Sequence, residues 1–391
     1  MGFKYAILVG DGMADYPVPE LGNITPLAYA NTPNMDAVAA NGHTGLVCTI
    51  PNGMQPGSDV ANLSLLGYDP ACYYSGRAPI EAASMGILLP PNDTAFRCNL
   101  VTIENNRMVD YSAGHIDTES ANQIIYQLQK ELGTDRVRFY PGVSYRHLVV
   151  ISDFPQNLKS TPPHDITDCE ITQHLPSGDG ADIIISLMEK AHTVISRFKN
   201  NQPDSKIKAT DIWLWGQGGS LKLPTLKELF DIEGSVISAV DLVKGLGVLA
   251  GLEAPFIKGA TGYLGTNYAG KTEAAFKAFE KQDLVYLHVE APDESSHEGS
   301  LQKKIQAIEE FDSFVVGEML KYQKEHPELK ILVTPDHATP VSLKTHSSEP
   351  VPFACSGPEI YKDSSTSYSE MSADKKTVLT GPELFRYFIK K

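Results

Sequence analysis

Apolar residues along this chain fall into two rhythms. Short unbroken runs occur at Tyr5–Val9, His147–Ile151, Leu284–Val289 (LVYLHV) and Lys330–Thr334 (KILVT). Such runs read as strands buried on both faces. Shorter strands are predicted at Gly45–Ile50, Ile212–Trp215 and Val236–Ala239. Elsewhere apolar residues recur three and four apart, the spacing of a helix face. Ser120–Leu132 carries them at Ile124, Ile125, Leu128 and Leu132, and Ala181–Phe198 is a longer amphipathic segment. Asn34–Ala40, Ala78–Leu89, a segment from Asp241 and Leu301–Gln323 complete the predicted helices. Alternation of strand, helix and strand predicts an α/β fold with a mostly parallel sheet.

The two ends of the chain read as one α/β unit, and the middle differs. It carries more loops, more proline and a polar linker at Lys199–Lys208. A domain inserted into a loop of another gives this pattern. The expected division is a discontinuous core, 1–75 with 224–391, and an inserted domain, 76–223. The Ser-rich stretch Asp363–Ser372 is expected to be an exposed loop.

Charge narrows the choice of partners. The 391 residues carry a formal charge of −15, with no basic run to interrupt it. Nucleic acid and anionic membrane surfaces are therefore poor partners. An anionic substrate would need a metal or a few placed cations. The five cysteines are odd in number, widely spaced and form no CxxC, so neither a disulfide framework nor a zinc knuckle is indicated. No apolar stretch approaches the ~20 residues of a membrane helix. The expected compartment is the cytoplasm.

Three predicted strands end in acidic or histidine-bearing segments. The first ends at Asp11, LVYLHV runs into Asp293 and His297, and KILVT runs into Asp336 and His337. His346 follows nine residues later. Ligands of open α/β sheets sit at the carboxyl ends of strands. Asp293 and His297, four apart, share one face of a helical turn. A lone Asp in such a place is ordinarily a cap or turn former. Three Asp and three His together form a mixed nitrogen and oxygen set suited to Mn²⁺ or Zn²⁺ rather than Ca²⁺. Ser58 opens a predicted helix after Gly57, a position that serves a helix cap, a phosphate site or an activated nucleophile.

These residues, with the strings VGDGMAD, TPNMDAVAANGHTGL, GSDVANLSLLGYDP, YYSGRAPIEAASMG, KGATGYLGTNYAGK, HVEAPDESSHEG and VTPDHATPVSLKTHSSEPVPF, span nearly the whole chain in order. The set resembles the metal core of the alkaline phosphatase superfamily. It is most similar to the cofactor-independent phosphoglycerate mutases of archaeal type. The resemblance implies an alkaline-phosphatase-like core with a mostly parallel sheet, interrupted by a smaller inserted α/β (α+β) domain. It implies two divalent ions, Mn²⁺ foremost with Zn²⁺ or Mg²⁺ as alternatives, and no bisphosphoglycerate cofactor. Asp11, Ser58, Asp336 and His337 would hold one ion, and Asp293, His297 and His346 the other. Ser58 would take phosphate from one glycerate hydroxyl and return it to the neighbouring one.

The departures from the family pattern fall in the middle of the chain. A DRRAGR-like string is replaced by Asp110-Tyr-Ser-Ala-Gly-His115-Ile-Asp117, and an LRGAG-like string by Leu214-Trp215-Gly-Gln217-Gly218. The remaining substrate-binding candidates are Arg77, His115, Asp117, Arg146, Lys244 and Lys258. A bacterial branch with such departures has been proposed to act as homoserine kinase, so a phosphotransferase of that kind is the alternative. A catalytically silent metabolite-binding protein would have no need of Ser58. GQGGS (216–220) and KGATG (258–262) are either phosphate cradles or tight turns. The expected partner is a small anionic phosphorylated substrate, with neither nucleic acid nor membrane; the oligomeric state is left open.

Overall fold

The computed structural model describes residues 2–155, 157–201 and 206–390. Part of the expected linker, residues 202–205, lies outside them. The chain forms two compact units, residues 1–74 with 222–391 and residues 75–221. The first unit begins with strands β1 (Lys4–Gly10) and β2 (Gly42–Cys48). The second contains β3 (Asp93–Glu104), β4 (Arg107–Asp110), β5 (Val137–Val143), β6 (Arg146–Ser152), β7 (Leu158–Lys159), β8 (Ser177–Gly178) and β9 (Asp211–Gly219). The first then resumes with β10 (Gly234–Ile237), β11 (Leu284–Val289), β12 (Leu329–Thr334), β13 (Val351–Ser356) and β14 (Val378–Thr380).

The first unit is built on a seven-stranded sheet of order β10-β11-β1-β12-β13-β2-β14. Only β13 runs antiparallel to its neighbours, so the sheet is mostly parallel, as the alternation predicted. Alternate residues of β1 feed opposite faces. Ala6 and Leu8 pack with Val285, Leu287, Ile331 and Val333 against Val38, Phe311 and Val316 of covering helices. On the other face Tyr5 meets Phe388 of the C-terminal helix edge-on. Both faces are covered, which is why β11 and β12 are buried at every position.

β13 and the long β3 were not predicted. β13 reads VPFACS, and its proline argues against an interior strand. The β12 ladder covers only Ala354–Ser356, so Pro352 lies beyond it and no ladder bond is lost there. β2 starts earlier than predicted because Gly42 pairs with Ser356, where a Cβ would lie 1.8 Å from the Cys355 carbonyl oxygen. The predicted helix Ala78–Leu89 stops at Ser84, before Gly86 at φ 71° and the Pro90-Pro91 pair. The helix over 301–323 is interrupted by a π-turn at Asp312–Val316. There the buried Asp312 accepts the amides of Asn34 and Met35 at the start of the helix Pro33–Ala40. The stretch Asp363–Ser372 is not simply exposed. Tyr368 is buried, its hydroxyl donating to the Pro352 carbonyl at 2.9 Å.

The second unit is an antiparallel sheet in which β3 pairs with β4, β6 and β9, and β6 with β5. Phe96, Cys98 and Leu100 of β3 pack against Ile124 and Leu128 of the helix Thr118–Leu132 and Ile184 and Ala191 of the helix Ala181–Asn200. The intervening Arg97 and Asn99 belong to the opposite face, the alternation of a sheet whose two faces meet different surroundings. Among the described residues, no helix is long and apolar enough to cross a membrane.

Candidate active site

Parallel register brings the chemistry of the first unit together. Gly10 of β1 pairs with Val289 of β11, and Val9 with Thr334 of β12. The segments after these strands therefore leave the sheet at one level, carrying Asp11, the helix Ala291–His297 and Asp336-His337. Gly12 turns the chain at φ 59°, and a Cβ there would lie 2.5 Å from both Asp293 Oδ1 and Thr339 Oγ1. Only glycine allows this approach. Ser58 is the first residue of the helix Ser58–Leu65, with Gly57 in the cap position. Its hydroxyl is thus free of capping and lies 3.2 Å from His337 Nε2.

Two groups of ligand-type atoms converge here. His337 Nε2 lies 3.4 Å from Asp11 Oδ1 and 3.5 Å from Asp336 Oδ2, besides the Ser58 contact. Thr339 Oγ1 donates to Asp293 Oδ1 at 2.5 Å and lies 3.2 Å from His337 Nδ1. With its proton committed, the threonine oxygen can only accept from Nδ1–H, which leaves the His337 Nε2 lone pair facing the acids. In the second group His297 Nε2 is 3.1 Å from Asp293 Oδ2, and His346 Nε2 is 3.6 Å from Asp293 Oδ1. The Nε2 atoms of His297 and His346 stand 3.0 Å apart. The Lys344 carbonyl, 2.9 Å from His297 Nδ1, accepts that ring's other proton. His337 is offered to both groups, since its ligand atom also falls within 4.8 Å of those of Asp293 and His346.

Several residues of this site were not foreseen. His288 of β11 is fully buried, with Nε2 3.0 Å from Asp11 Oδ2, and groups with Asp11 and Asp336 within 4.8 Å. Asn62, one turn past Ser58, donates to Asp336 Oδ2 at 2.7 Å and to the Ser58 carbonyl at 2.8 Å, and accepts from the Tyr286 hydroxyl at 2.5 Å. The buried Lys304 ammonium donates to the carbonyls of Ala14 and Thr339 and to Asp15 Oδ2, tying together the loops that follow β1 and β12. A signal for two of these existed in the sequence. His288 is the one strongly polar residue in LVYLHV, and Lys304 falls on the apolar stripe of Leu301, Ile305 and Ile308.

The electrostatics fit divalent cations. Burial, and then the charges of Asp336, Asp293 and Glu290, push the Asp11 carboxyl well above the usual range. Burial alone would raise Asp293, but its bonds from His297 and His346 outweigh this and hold it well below. His297 is raised to about 9, chiefly by its bond to Asp293. Burial lowers His337 and takes His288 down to about 4. Among the described residues, Asp11 Oδ1 and His288 Nε2 are buried without a hydrogen-bond partner. Packed acids and bare imidazole nitrogens in an interior are costly unless a cation sits among them. These donors fit such ions.

The substrate-binding candidates are more scattered. Lys244, on the helix Asp241–Leu249, pairs with Asp241, and Lys258 is exposed in a loop. Asp117 caps the helix Thr118–Leu132 through the Ser120 amide, a structural use. His115 is exposed beside a cavity of about 320 Å³ that Lys206 and Lys208 also line. Arg146 is exposed and leans over the Tyr145 ring. GQGGS lies largely within β9, and in KGATG the Thr261 amide bonds Thr266 Oγ1 in a turn. The better-built group centres on Arg97, which was not predicted. Its Nε is 3.0 Å from Glu81 Oε2 and its guanidinium lies 4.1 Å from the Trp215 ring centre. Arg77 reaches the other Glu81 oxygen at 3.9 Å.

The chain is similar to known proteins along most of its length. The family model for 2,3-bisphosphoglycerate-independent phosphoglycerate mutase matches residues 39–201. The enzyme of that name from Methanosarcina acetivorans is 51% identical, over 97% of this chain and 98% of its own. A Geobacter sulfurreducens protein, described as a probable enzyme of the same name, is 48% identical over 95% of each chain. Among solved structures, a Pyrococcus horikoshii protein superposes with a TM-score of 0.82 at 27% identity, covering 100% of this chain and 97% of its own. With such identity over nearly its full length, this chain belongs to the 2,3-bisphosphoglycerate-independent phosphoglycerate mutase family.

Proposed function

We propose that this chain interconverts 3- and 2-phosphoglycerate through a phosphoserine at Ser58. The observation that carries this reading is the Ser58 hydroxyl, uncommitted to capping, beside His337 and the buried acids. In the first step the Ser58 Oγ–P bond forms and the bond from phosphorus to the glycerate oxygen breaks. In the second, the neighbouring glycerate hydroxyl attacks that phosphorus and frees Ser58. Phosphate never leaves as a free ion. Asp11, Ser58, Asp336 and His337 would hold one cation, and Asp293, His297 and His346 the other, Mn²⁺ in preference to Zn²⁺ or Mg²⁺. Such ions lower the pKa of a hydroxyl and neutralise phosphoryl oxygens. Asn62 keeps Asp336 and the first turn of the Ser58 helix in fixed relation, and Lys304 does the same for the loops carrying Asp11 and Thr339.

The unit 75–221 is proposed as the inserted substrate domain, with Arg77, Arg97 and Arg146 as cations for the glycerate carboxylate or phosphate. The homoserine kinase alternative is disfavoured, because relatives about half identical carry the mutase name. Five free cysteines accord with a reducing cytoplasm. The test is conversion of 3- to 2-phosphoglycerate by Mn²⁺-loaded protein without added bisphosphoglycerate, beside ATP plus homoserine. Phosphorylation of homoserine without mutase turnover would reverse the assignment.

A further inference from the structure

We infer that His288 is a ligand of the cation held by Asp11 and Asp336, supplying it with an imidazole nitrogen from within strand β11. This assignment rests on the two-metal reading above and extends its ligand set. The first observation is position. The ligand atoms of Asp11, His288 and Asp336 all lie within 4.8 Å of one another, and the His288 side chain is fully buried. The second is an unmet need. His288 Nε2 and Asp11 Oδ2 face each other at 3.0 Å, yet Nε2 has no hydrogen-bond partner among the described residues. Two electron-rich atoms at that distance, lacking an aligned proton, repel unless a positive charge lies between or beside them.

The third observation is how the ring is held. Nδ1 lies 3.2 Å from Ser238 Oγ, which already accepts the Val240 amide at 3.0 Å. The serine oxygen has a second lone pair, so Nδ1–H can donate to it and leave Nε2 as a bare lone pair. An oxygen acceptor on the far ring nitrogen is the usual way a ligating histidine is oriented. The backbone is fixed as well, because the buried Lys271 ammonium donates to the His288 carbonyl at 2.9 Å. A nitrogen donor in this position favours Mn²⁺, Co²⁺ or Zn²⁺ over Mg²⁺.

The test is a Co²⁺ titration of metal-stripped protein, followed by visible absorption and equilibrium dialysis. In His288→Gln one site should weaken by more than the roughly 10- to 100-fold that loss of an outer-shell partner costs, and its absorption band should shift. The site of Asp293, His297 and His346 should keep its affinity and serves as the internal reference. Ser238→Ala, which leaves the imidazole in place, should weaken the same site by a smaller factor. It also carries the test if His288→Gln does not fold. Titrations of both variants that superimpose on the wild type would overturn the assignment while leaving the two-metal reading intact. Failure of the wild-type protein to take up any divalent ion would overturn both.

Discussion

The two units place their polar groups by different rules. In the first, Asp11, Asp293 and Asp336 come from segments that leave β1, β11 and β12 at one level, because parallel register puts Gly10 beside Val289 and Val9 beside Thr334. In the second, the arginine group is built across mid-strand positions. Arg97 of β3 is paired with Trp215 of β9, and Glu81 comes from a short helix. A strand-end site repeats a local signal, an apolar run followed by an acid. A mid-strand site repeats nothing local, since each member looks like an isolated charge until the pairing is known. The first kind is also buried and its acids and histidines face one another, whereas the second keeps its charges paired without metal.

The largest expected effect tests the first unit alone. Ser58→Ala should lower mutase turnover by at least about a thousand-fold, because a lost nucleophile has no substitute. Circular dichroism should be unchanged, since Gly57 rather than Ser58 occupies the cap. Mass spectrometry after brief exposure to phosphoglycerate should find one phosphate on the wild type, at Ser58, and none on the variant. Phosphate on another residue would remove the mechanism. A smaller loss is expected from Thr339→Val, which keeps the shape but deletes the donor to Asp293 and the acceptor facing His337 Nδ1. Divalent-ion affinity should fall by roughly 10- to 100-fold, as for other groups that orient ligands. Unchanged affinity would mean that the ligands are positioned without it.

The same contrast explains what was legible beforehand. Asp11, Asp293, His297, Asp336 and His337 of the expected metal set lie in short strings whose spacing is fixed by one turn of helix or by one strand end, as in Asp293 to His297. His288 and Lys304 were overlooked because an apolar run and an amphipathic stripe each tolerate one polar member in a simple reading. Only the neighbours, Asp11 and Asp15, reveal what that member does. β13 was missed for a related reason. Pro352 argues against a strand, and only the length of the β12 ladder makes it harmless. Arg97 carried no sequence signal, since its partners lie 16 residues before it and more than a hundred after it.

Arg97→Lys probes whether the second unit's group binds substrate. Lysine keeps the charge but loses the planar fork that meets Glu81 and the stack on Trp215. KM for phosphoglycerate should rise by about ten-fold, the cost of one charge-assisted bond of 1.4 kcal/mol or more, while formation of phosphoserine with a saturating donor persists. A lowered melting temperature with unchanged KM would assign Arg97 a purely structural part.

The smallest effect concerns stability and separates the units by pH. His147 of β6 is 2% exposed, and burial lowers its pKa from 6.5 to about 3, only partly opposed by a backbone bond. Its Nδ1 accepts the Gly142 amide at 2.9 Å, so the neutral ring is the form the fold requires. Above pH 6.5 the imidazole is neutral in both folded and unfolded chains, and its contribution is fully present. Below 6.5 the unfolded chain takes up a proton that the folded one refuses, so stability falls toward pH 3 by up to about 1.4 kcal/mol per unit. Between pH 7.5 and 5 this amounts to about 2 kcal/mol. Both tryptophans, Trp213 and Trp215, lie in the second unit, so urea unfolding followed by their fluorescence reads that unit. His147→Gln should be less stable at pH 7.5 if the Gly142 bond is lost, but its decline toward pH 5 should be shallower by that same amount. Parallel declines in the two proteins would show that another group carries the acid sensitivity. The first unit, whose histidines face carboxylates, should respond instead to the divalent ion supplied, because protons and cations compete for His297 and His337.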